Sequence, residues 1–238
     1  MHWHEGELRI FPVKGIGEVR RADNVADLIL NHTKLEDFDV LVVTQKVVSK
    51  AEGRVVTLDP ARDAEEQIGE IVRSESKRVL RQRGHMMITE THFGFVCANA
   101  GIDQSNMPEG KIALLPKDPD RSARWIRDRI KAQAGLTVGV IVSDTFGRTW
   151  RRGLTDVALG VAGIAAVVDL RGTTDASGRP LAVTQVALAD ELASAAELAK
   201  PKDAGVPAVV IRGVSRAHFR ESSVKEEIVR PFQEDLFR

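Results

Sequence analysis

Six short apolar runs, rich in β-branched residues, recur along the chain: DVLVVTQKVV (39–48), HMMITET (85–91), KIALLP (111–116), TVGVIVSDT (137–145), AAVVDLRG (165–172) and PAVVIRG (207–213). Runs this short, bounded by turn residues, read as strands. Between them the apolar spacing changes. Ile68, Ile71, Val72 and Val79 fall at i, i+3, i+4 and i+11, the stripe of a helix through AEEQIGEIVRSESKRVLRQR (64–83). Trp125, Ile126 and Ile130 mark a second helix in DRSARWIRDRIKAQAG, ended by Gly135, and a third is expected over 182–199, stopped by Pro201. Strands and helices that interleave in this way predict a mixed α/β fold, read here as one domain over 1–238. The turn-rich GTTDASGRP (172–180) is expected to be an exposed loop and is the one place for a minor subdivision. Neither a low-complexity linker nor an internal repeat interrupts the chain.

Charge excludes some partners. The chain has 34 basic and 34 acidic side chains, a balance that points away from nucleic acid and from anionic membranes and makes recognition local. A single cysteine, Cys97, rules out an internal disulfide and fits a reducing compartment. Its apolar neighbours in FGFVCANAG favour a buried thiol over a nucleophile. The longest apolar stretch, 157–168, is closed by Asp156 and Asp169 and falls short of the roughly 20 residues a membrane span needs. The opening MHWHEGELRIF lacks the basic start and apolar run of a secretory signal, so the expectation is a cytoplasmic protein.

The common nucleotide loops are missing. No G-x-x-x-x-G-K-[ST] occurs, and KGIGEVR (14–20) puts Arg20 where a dinucleotide fingerprint needs its third glycine. His2 and His4 would share one face of a strand, but no Cys or further His stands near them in the sequence. There is no G-x-S-x-G elbow.

Four weaker signals remain. In VIVSDTFGRTWRRG an apolar run ends in Asp144 and Thr145 and then releases Arg148, Arg151 and Arg152. A carboxylate and a hydroxyl at a strand end suit a hard cation, and they suit equally a capped turn. NAGIDQSN (99–106) offers Gly101, Asp103 and Asn106 as a second oxygen-bearing loop. VVTQKVVSKAEGR (42–54) leaves a strand with Thr44, Gln45, Lys46, Ser49 and Lys50, donors of the kind phosphates need. FPVKGIGE (11–18) is a Pro-Gly loop able to bring backbone N–H groups to an anion. Two acidic loops with two cationic or glycine loops form the set that metal-assisted phosphoryl chemistry requires.

In that order, FPVKGIGEV, VVTQKVVSKAEGR, FGFVCANAGIDQSN, VIVSDTFGRTWRRGLTDVALGVAGI and GVPAVVIRG closely resemble the coenzyme F420-0:L-glutamate ligase family, from about Phe11 to the terminal VRPFQEDLFR. The resemblance implies a mixed α/β fold with mixed sheets and flanking helices, an intertwined homodimer, and either a stand-alone ligase or the ligase domain of the bifunctional actinobacterial type. It implies GTP as co-substrate, one or two magnesium or manganese ions, and potassium. Carried over by position, Pro12, Val13, Lys14, Gly15, Gln45, Lys50 and Asn106 are nucleotide contacts, and Asp103, Asp144 and Thr145 are metal ligands. AKPKDAGVP (199–207) matches a nucleotide-contacting stretch, with Lys200-Pro201-Lys202 where many relatives carry a small-residue run containing glycine.

The activity so implied is addition of L-glutamate to coenzyme F420-0 through an acyl phosphate, then of further γ-linked glutamates, releasing GDP and phosphate. Arg148, Arg151 and Arg152 are assigned to neutralising substrate or phosphoryl charge. Two other readings stay open. One is a different nucleotide- and metal-dependent acid–amine ligase. The other is a non-enzymatic nucleotide- or RNA-binding module with Trp150 as a stacking platform.

Overall fold

The structure is a computed structural model that describes residues 3–105, 107–201 and 205–236. The chain runs β1 (His4–Val13), α1 (Val25–Leu30), β2 (Val40–Thr44), α2 (Gln45–Ala51), β3 (Val55–Thr57), α3 (Ala64–Ser74), β4 (Ser76–Arg83), β5 (Met86–Thr91), β6 (Val96–Ala98), β7 (Lys111–Ala113), α4 (Pro119–Ala134), β8 (Gly139–Arg148), β9 (Arg151–Ala162), β10 (Val168–Asp169), β11 (Gln185–Val186), α5 (Leu188–Glu197), β12 (Ala208–Val214) and α6 (Val224–Glu227). The fold is mixed α/β, as the interleaved patterns predict.

A five-stranded sheet in the order β1-β12-β2-β8-β9 is the centre. Only β2 and β8 run parallel, in register from Val40 opposite Gly139 to Thr44 opposite Ser143. Both faces of its middle are covered, which is why β2, β12 and the first half of β8 read as apolar runs instead of alternating ones. Val40, Val42, Ile141, Leu159, Val209 and Ile211 pack on one side with Leu188 and Leu192 of α5. Leu41, Val43, Val140, Val142 and Val210 pack on the other with Ile29 of α1 and Ile126 and Ile130 of α4. A smaller sheet, β4-β5-β6, has its own cluster of Val72, Met87 and Ala100 and joins the main core through Cys97 of β6.

Helix α4 has its ends where the sequence places them. Asp118 accepts from the Arg121 N–H at 2.8 Å, and Pro119 opens the first turn, where a missing N–H costs nothing. Gly135 ends it in the left-handed conformation, φ 73°. The helix start rests directly on β9: a Cβ at Gly160 would lie 2.1 Å from the Pro119 carbonyl carbon.

Several expected elements change. The helix read over 64–83 ends at Ser74, and Ser76–Arg83 is a strand paired with Met86–Thr91. Val79 sits in that strand, 38% exposed, so its helical spacing was coincidental. Pairing across the Gly84 turn (φ 58°) overrides the local pattern. The run 39–48 is strand only to Thr44; QKVVSKA is helix α2, whose Val48 and Ser49 are buried. The helix expected over 182–199 begins at Leu188, because Gln185 and Val186 pair with Asp169 and Val168. Of 165–172 only Val168–Asp169 is strand. Pro12 and Val13, read as loop, close β1 opposite Val209 and Ala208. Segment 172–180 is largely exposed, with an isolated bridge between Thr174 and Pro180. Among the described residues, no helix is long and apolar enough to cross a membrane.

Candidate functional site

The two parallel strands set the site. β2 and β8 finish side by side at Thr44 and Ser143, and open sheets present ligand groups at the carboxyl ends of such strands. From Thr44 the chain turns into α2, placing Gln45, Lys46 and Lys50 along one wall. From Ser143 it does not end in a loop. β8 continues to Arg148, turns at Thr149 and Trp150, and returns as β9, a hairpin that leaves the sheet. Asp144 and Thr145 are thus the first residues of β8 beyond its pairing with β2. A cleft of about 1720 Å³ opens between these walls.

Asp103 reaches the cleft from the loop after β6. Asn99, Ala100 and Gly101 have φ of 47°, 52° and 70°, a left-handed run that turns the chain sharply. The backbone of Asp103 is then fixed by two hydrogen bonds with Ala113, each 2.9 Å. Its Oδ1 accepts from the Ser105 N–H and Oγ–H at 2.7 Å each, and its Oδ2 lies 2.8 Å from Lys46 Nζ. Lys46 Nζ also donates to Ser105 Oγ at 3.0 Å and to the Ser105 carbonyl. Burial pushes the Asp103 carboxyl up, but the Lys46 ammonium and the Ser105 donors outweigh it and hold it below the usual carboxylate range.

Asp144 has the opposite balance. Burial pushes its carboxyl up to about 7, the charges of Asp103 and Asp156 push the same way, and the Thr145 N–H and the Lys46 ammonium offset only part. It takes part in no ion pair among the described residues. A cation brought beside it would meet the charge of Asp103 as well. Carboxylate oxygens suit magnesium or manganese, whose remaining positions water and phosphate oxygens fill. Among the described residues no group of three acidic, imidazole or thiol side chains is placed to hold a metal ion.

Asp156, directly opposite Thr145 in the hairpin register, ties the site together. Its Oδ1 accepts from Thr145 Oγ1 at 2.7 Å; its Oδ2 accepts from Ser143 Oγ at 3.0 Å and from Lys200 Nζ at 2.6 Å. Lys200 Nζ also donates to Ser143 Oγ at 3.1 Å. The side chains of Lys200 and Asp156 are 6% and 4% exposed. Burial raises the Asp156 carboxyl, and the Lys200 ammonium with the two hydroxyl donors more than reverses it. Sequence reading met Asp156 only as the boundary of an apolar run. The available signal was its place across from Thr145, visible once the hairpin is known.

The other expected site residues divide. Gln45 is 1% exposed; its Oε1 accepts from Ser49 Oγ at 2.9 Å, while its Nε2 finds no acceptor among the described residues, and the residue lines the cleft. Lys50 lines it too, with Nζ 2.7 Å from Glu18 Oε1. Pro12, Val13, Lys14 and Gly15 are not brought into the lining, which takes Ile16 to Val19 from that segment instead; Val13 is in the core. Arg148 lines the cleft edge and donates to the Arg152 carbonyl at 2.9 Å, whereas Arg151 and Arg152 are exposed on the hairpin away from it. Asn106, Lys202 and His2 lie outside the described residues. Cys97 is buried as expected, its thiol pushed up to about 12 by burial and then by the Asp144 charge, which leaves no thiolate to act as a nucleophile.

Comparison with known proteins shows the family. Residues 15–213 match the family described as F420-0:Gamma-glutamyl ligase. The chain is 42% identical over 246 residues to the Coenzyme F420:L-glutamate ligase of Methanopyrus kandleri, covering 97% of this chain and 98% of that protein. It is 39% identical over 249 residues to the enzyme of that name from Methanothermobacter thermautotrophicus, with 97% and 99% covered. Against that from Archaeoglobus fulgidus the identity is 42% over 244 residues, with 97% and 96% covered.

Proposed function

The chain belongs to the F420-0:gamma-glutamyl ligase family, and on that premise we propose that it joins L-glutamate to coenzyme F420-0 with cleavage of GTP. The observation that carries the reading is the Asp144 carboxylate, pushed up to about 7 beside Asp103 in a cleft that Lys46, Lys50 and Lys200 also line. A buried acid with no ion pair among the described residues, next to several ammonium groups, is what a cation and a polyphosphate would complete together.

In this reading Asp103, Asp144 and Thr145 hold one or two magnesium or manganese ions, which supply charge neutralisation at the phosphates; potassium is a further expected cation. Lys50 and the unpaired Gln45 Nε2 bind nucleotide oxygens. Arg148 at the cleft edge neutralises charge on the acceptor or on the transferring group. A carboxylate oxygen of the acceptor attacks the γ-phosphorus of GTP, the bond to the bridging oxygen breaks, and GDP leaves. The acyl phosphate carbon is then attacked by the amine of glutamate, which has given up a proton; phosphate departs and an amide remains. Activation is needed because a free carboxylate is a poor electrophile. Repetition on the γ-carboxylate would lengthen the chain. The protein acts, in the same proposal, as a homodimer, to which the exposed hairpin bearing Trp150 and Leu154 contributes.

Incubating the protein with GTP, L-glutamate, coenzyme F420-0 and magnesium or manganese should give a product heavier by one glutamyl unit, with GDP and phosphate in step. Product formed without GTP would refute the nucleotide requirement, and no product under any of these conditions would refute the activity.

A further inference from the structure

An ammonium group of this chain stands at the oxygen that Asp103 would offer to a cation. Lys46 Nζ has three N–H groups, and three oxygens of the loop after β6 receive them. They are Asp103 Oδ2 at 2.8 Å, Ser105 Oγ at 3.0 Å and the Ser105 carbonyl. The other carboxylate oxygen, Asp103 Oδ1, already accepts from the Ser105 N–H and Oγ–H. Oδ2 is therefore the one left for a cation, and Lys46 holds it. The field of the same ammonium reaches both carboxyls, Asp103 and Asp144. Lys50, four positions further along α2, is bonded elsewhere, with Nζ 2.7 Å from Glu18 Oε1.

Two consequences follow from a positive charge at this spot. It neutralises a partly buried carboxylate that would otherwise cost stability. It also keeps a second cation from the same oxygens, because like charges at such spacing repel. A divalent ion brings twice the charge to those oxygens, and phosphate oxygens complete its shell. The lysine head, on a flexible four-carbon stem, can then turn to another anion. Phosphate is the anion that would arrive with the metal, and lysine binds it as a point charge.

We propose that Lys46 is a placeholder: its ammonium fills the cation place at Asp103 in the free protein, and moves to a phosphate oxygen of the nucleotide when metal and nucleotide bind. This rests on the metal- and GTP-dependent reading above, and gives a role to a lysine which that reading leaves without one.

The test compares two affinities, with thermal melts of each variant. One is binding of Mn2+ alone, from the loss of the free-ion electron paramagnetic resonance signal. The other is calorimetric binding of GTP with Mn2+, in the absence of acceptor and glutamate. Lys46→Met should bind Mn2+ alone about 10-fold more tightly, the least effect that one neighbouring unit charge has on a proton equilibrium. It should bind GTP with Mn2+ about 10-fold more weakly, the share of one hydrogen bond to a charged group. Lys50→Met should weaken GTP without tightening Mn2+. Mn2+ binding that is unchanged or weaker in Lys46→Met, with a lowered melting point, would make the contact a clamp on the loop and end the proposal. Equal tightening of Mn2+ in both lysine variants would end it too, as general repulsion in the cleft, and so would unchanged GTP binding in Lys46→Met. If Lys46→Met does not fold, Lys46→Gln, which keeps a donor for the loop without the charge, carries the same expectations. A wild-type protein that binds no Mn2+, or no GTP with Mn2+, would overturn the reading of the site and this inference with it. That result is distinct from wild-type binding which the variants leave unchanged.

Discussion

At the residue scale the strongest tension is at Asp144. Burial, followed by the charges of Asp103 and Asp156, moves its carboxyl from near 4 to about 7. The folded protein therefore holds a proton there between about pH 4 and 7 that the unfolded chain has released. Stability from this group is complete at low pH and is lost as pH rises through that window. Asp144→Asn should accordingly raise the melting temperature of the metal-free protein at pH 8 and have little effect at pH 4, with about 2–4 °C expected for each kcal/mol of repulsion relieved in a chain of this size. Melts in the presence of a chelator at both pH values decide it; an equal shift at the two would place the effect in packing, not charge. Asp144 and Thr145 were legible as an acid–hydroxyl pair at the end of an apolar run. Asp156 was not, because its role comes from a cross-strand position 11 residues later in sequence.

At the element scale, two glycines on the two sides of α4 separate close approach from backbone conformation. Gly135 needs its positive φ but has open space around a Cβ, so Gly135→Ala should cost about 1 kcal/mol. Gly160 has no such φ, yet a Cβ there would lie 2.1 Å from Pro119 C and 2.4 Å from the Asp120 N, both backbone atoms that cannot swing aside. Asp120 is held in place: its carboxylate accepts from the Val161 N–H at 2.8 Å, the Val224 N–H at 3.0 Å and Ser223 Oγ at 2.8 Å. Gly160→Ala should thus lose at least the 1–3 kcal/mol typical of overpacking and more than Gly135→Ala. Urea unfolding of the two variants tests the order, and the reverse ranking would mean that α4 moves freely on the sheet. The stop of α4 could be read from Gly135. Its seat on β9 could not, because nothing local to Gly160 marks a helix arriving from 40 residues earlier.

For the whole molecule, the proposed dimer has a physical handle in the hairpin. Trp150 is 80% exposed at its turn and Leu154 67% exposed on its returning strand, large apolar surface on an element that projects from the sheet. Light scattering should give a mass of two chains at micromolar concentration. Leu154→Asp should shift it toward one chain while the melt of the monomer stays near that of the parent, since the residue has little to lose inside its own chain. A single-chain mass for the parent protein would remove the dimer.

The sequence by itself determined the class of fold, because apolar runs and helical stripes are local properties that survive in any topology. Segments matched in order to a family pointed to Asp103, Asp144, Thr145, Gln45 and Lys50, which line one cleft, and also to Pro12–Gly15, Arg151 and Arg152, which do not. The sequence misjudged the ends of the elements where pairing overrode local pattern, at Ser76–Arg83 and Gln185–Val186. Only the tertiary structure decided how far β8 and β9 run beyond the sheet, that Lys46 closes on Asp103, and that Asp156 with buried Lys200 stands behind Thr145. The reason is physical: partners 11 to 57 positions apart meet through strand register and helix packing, which no short window of sequence contains.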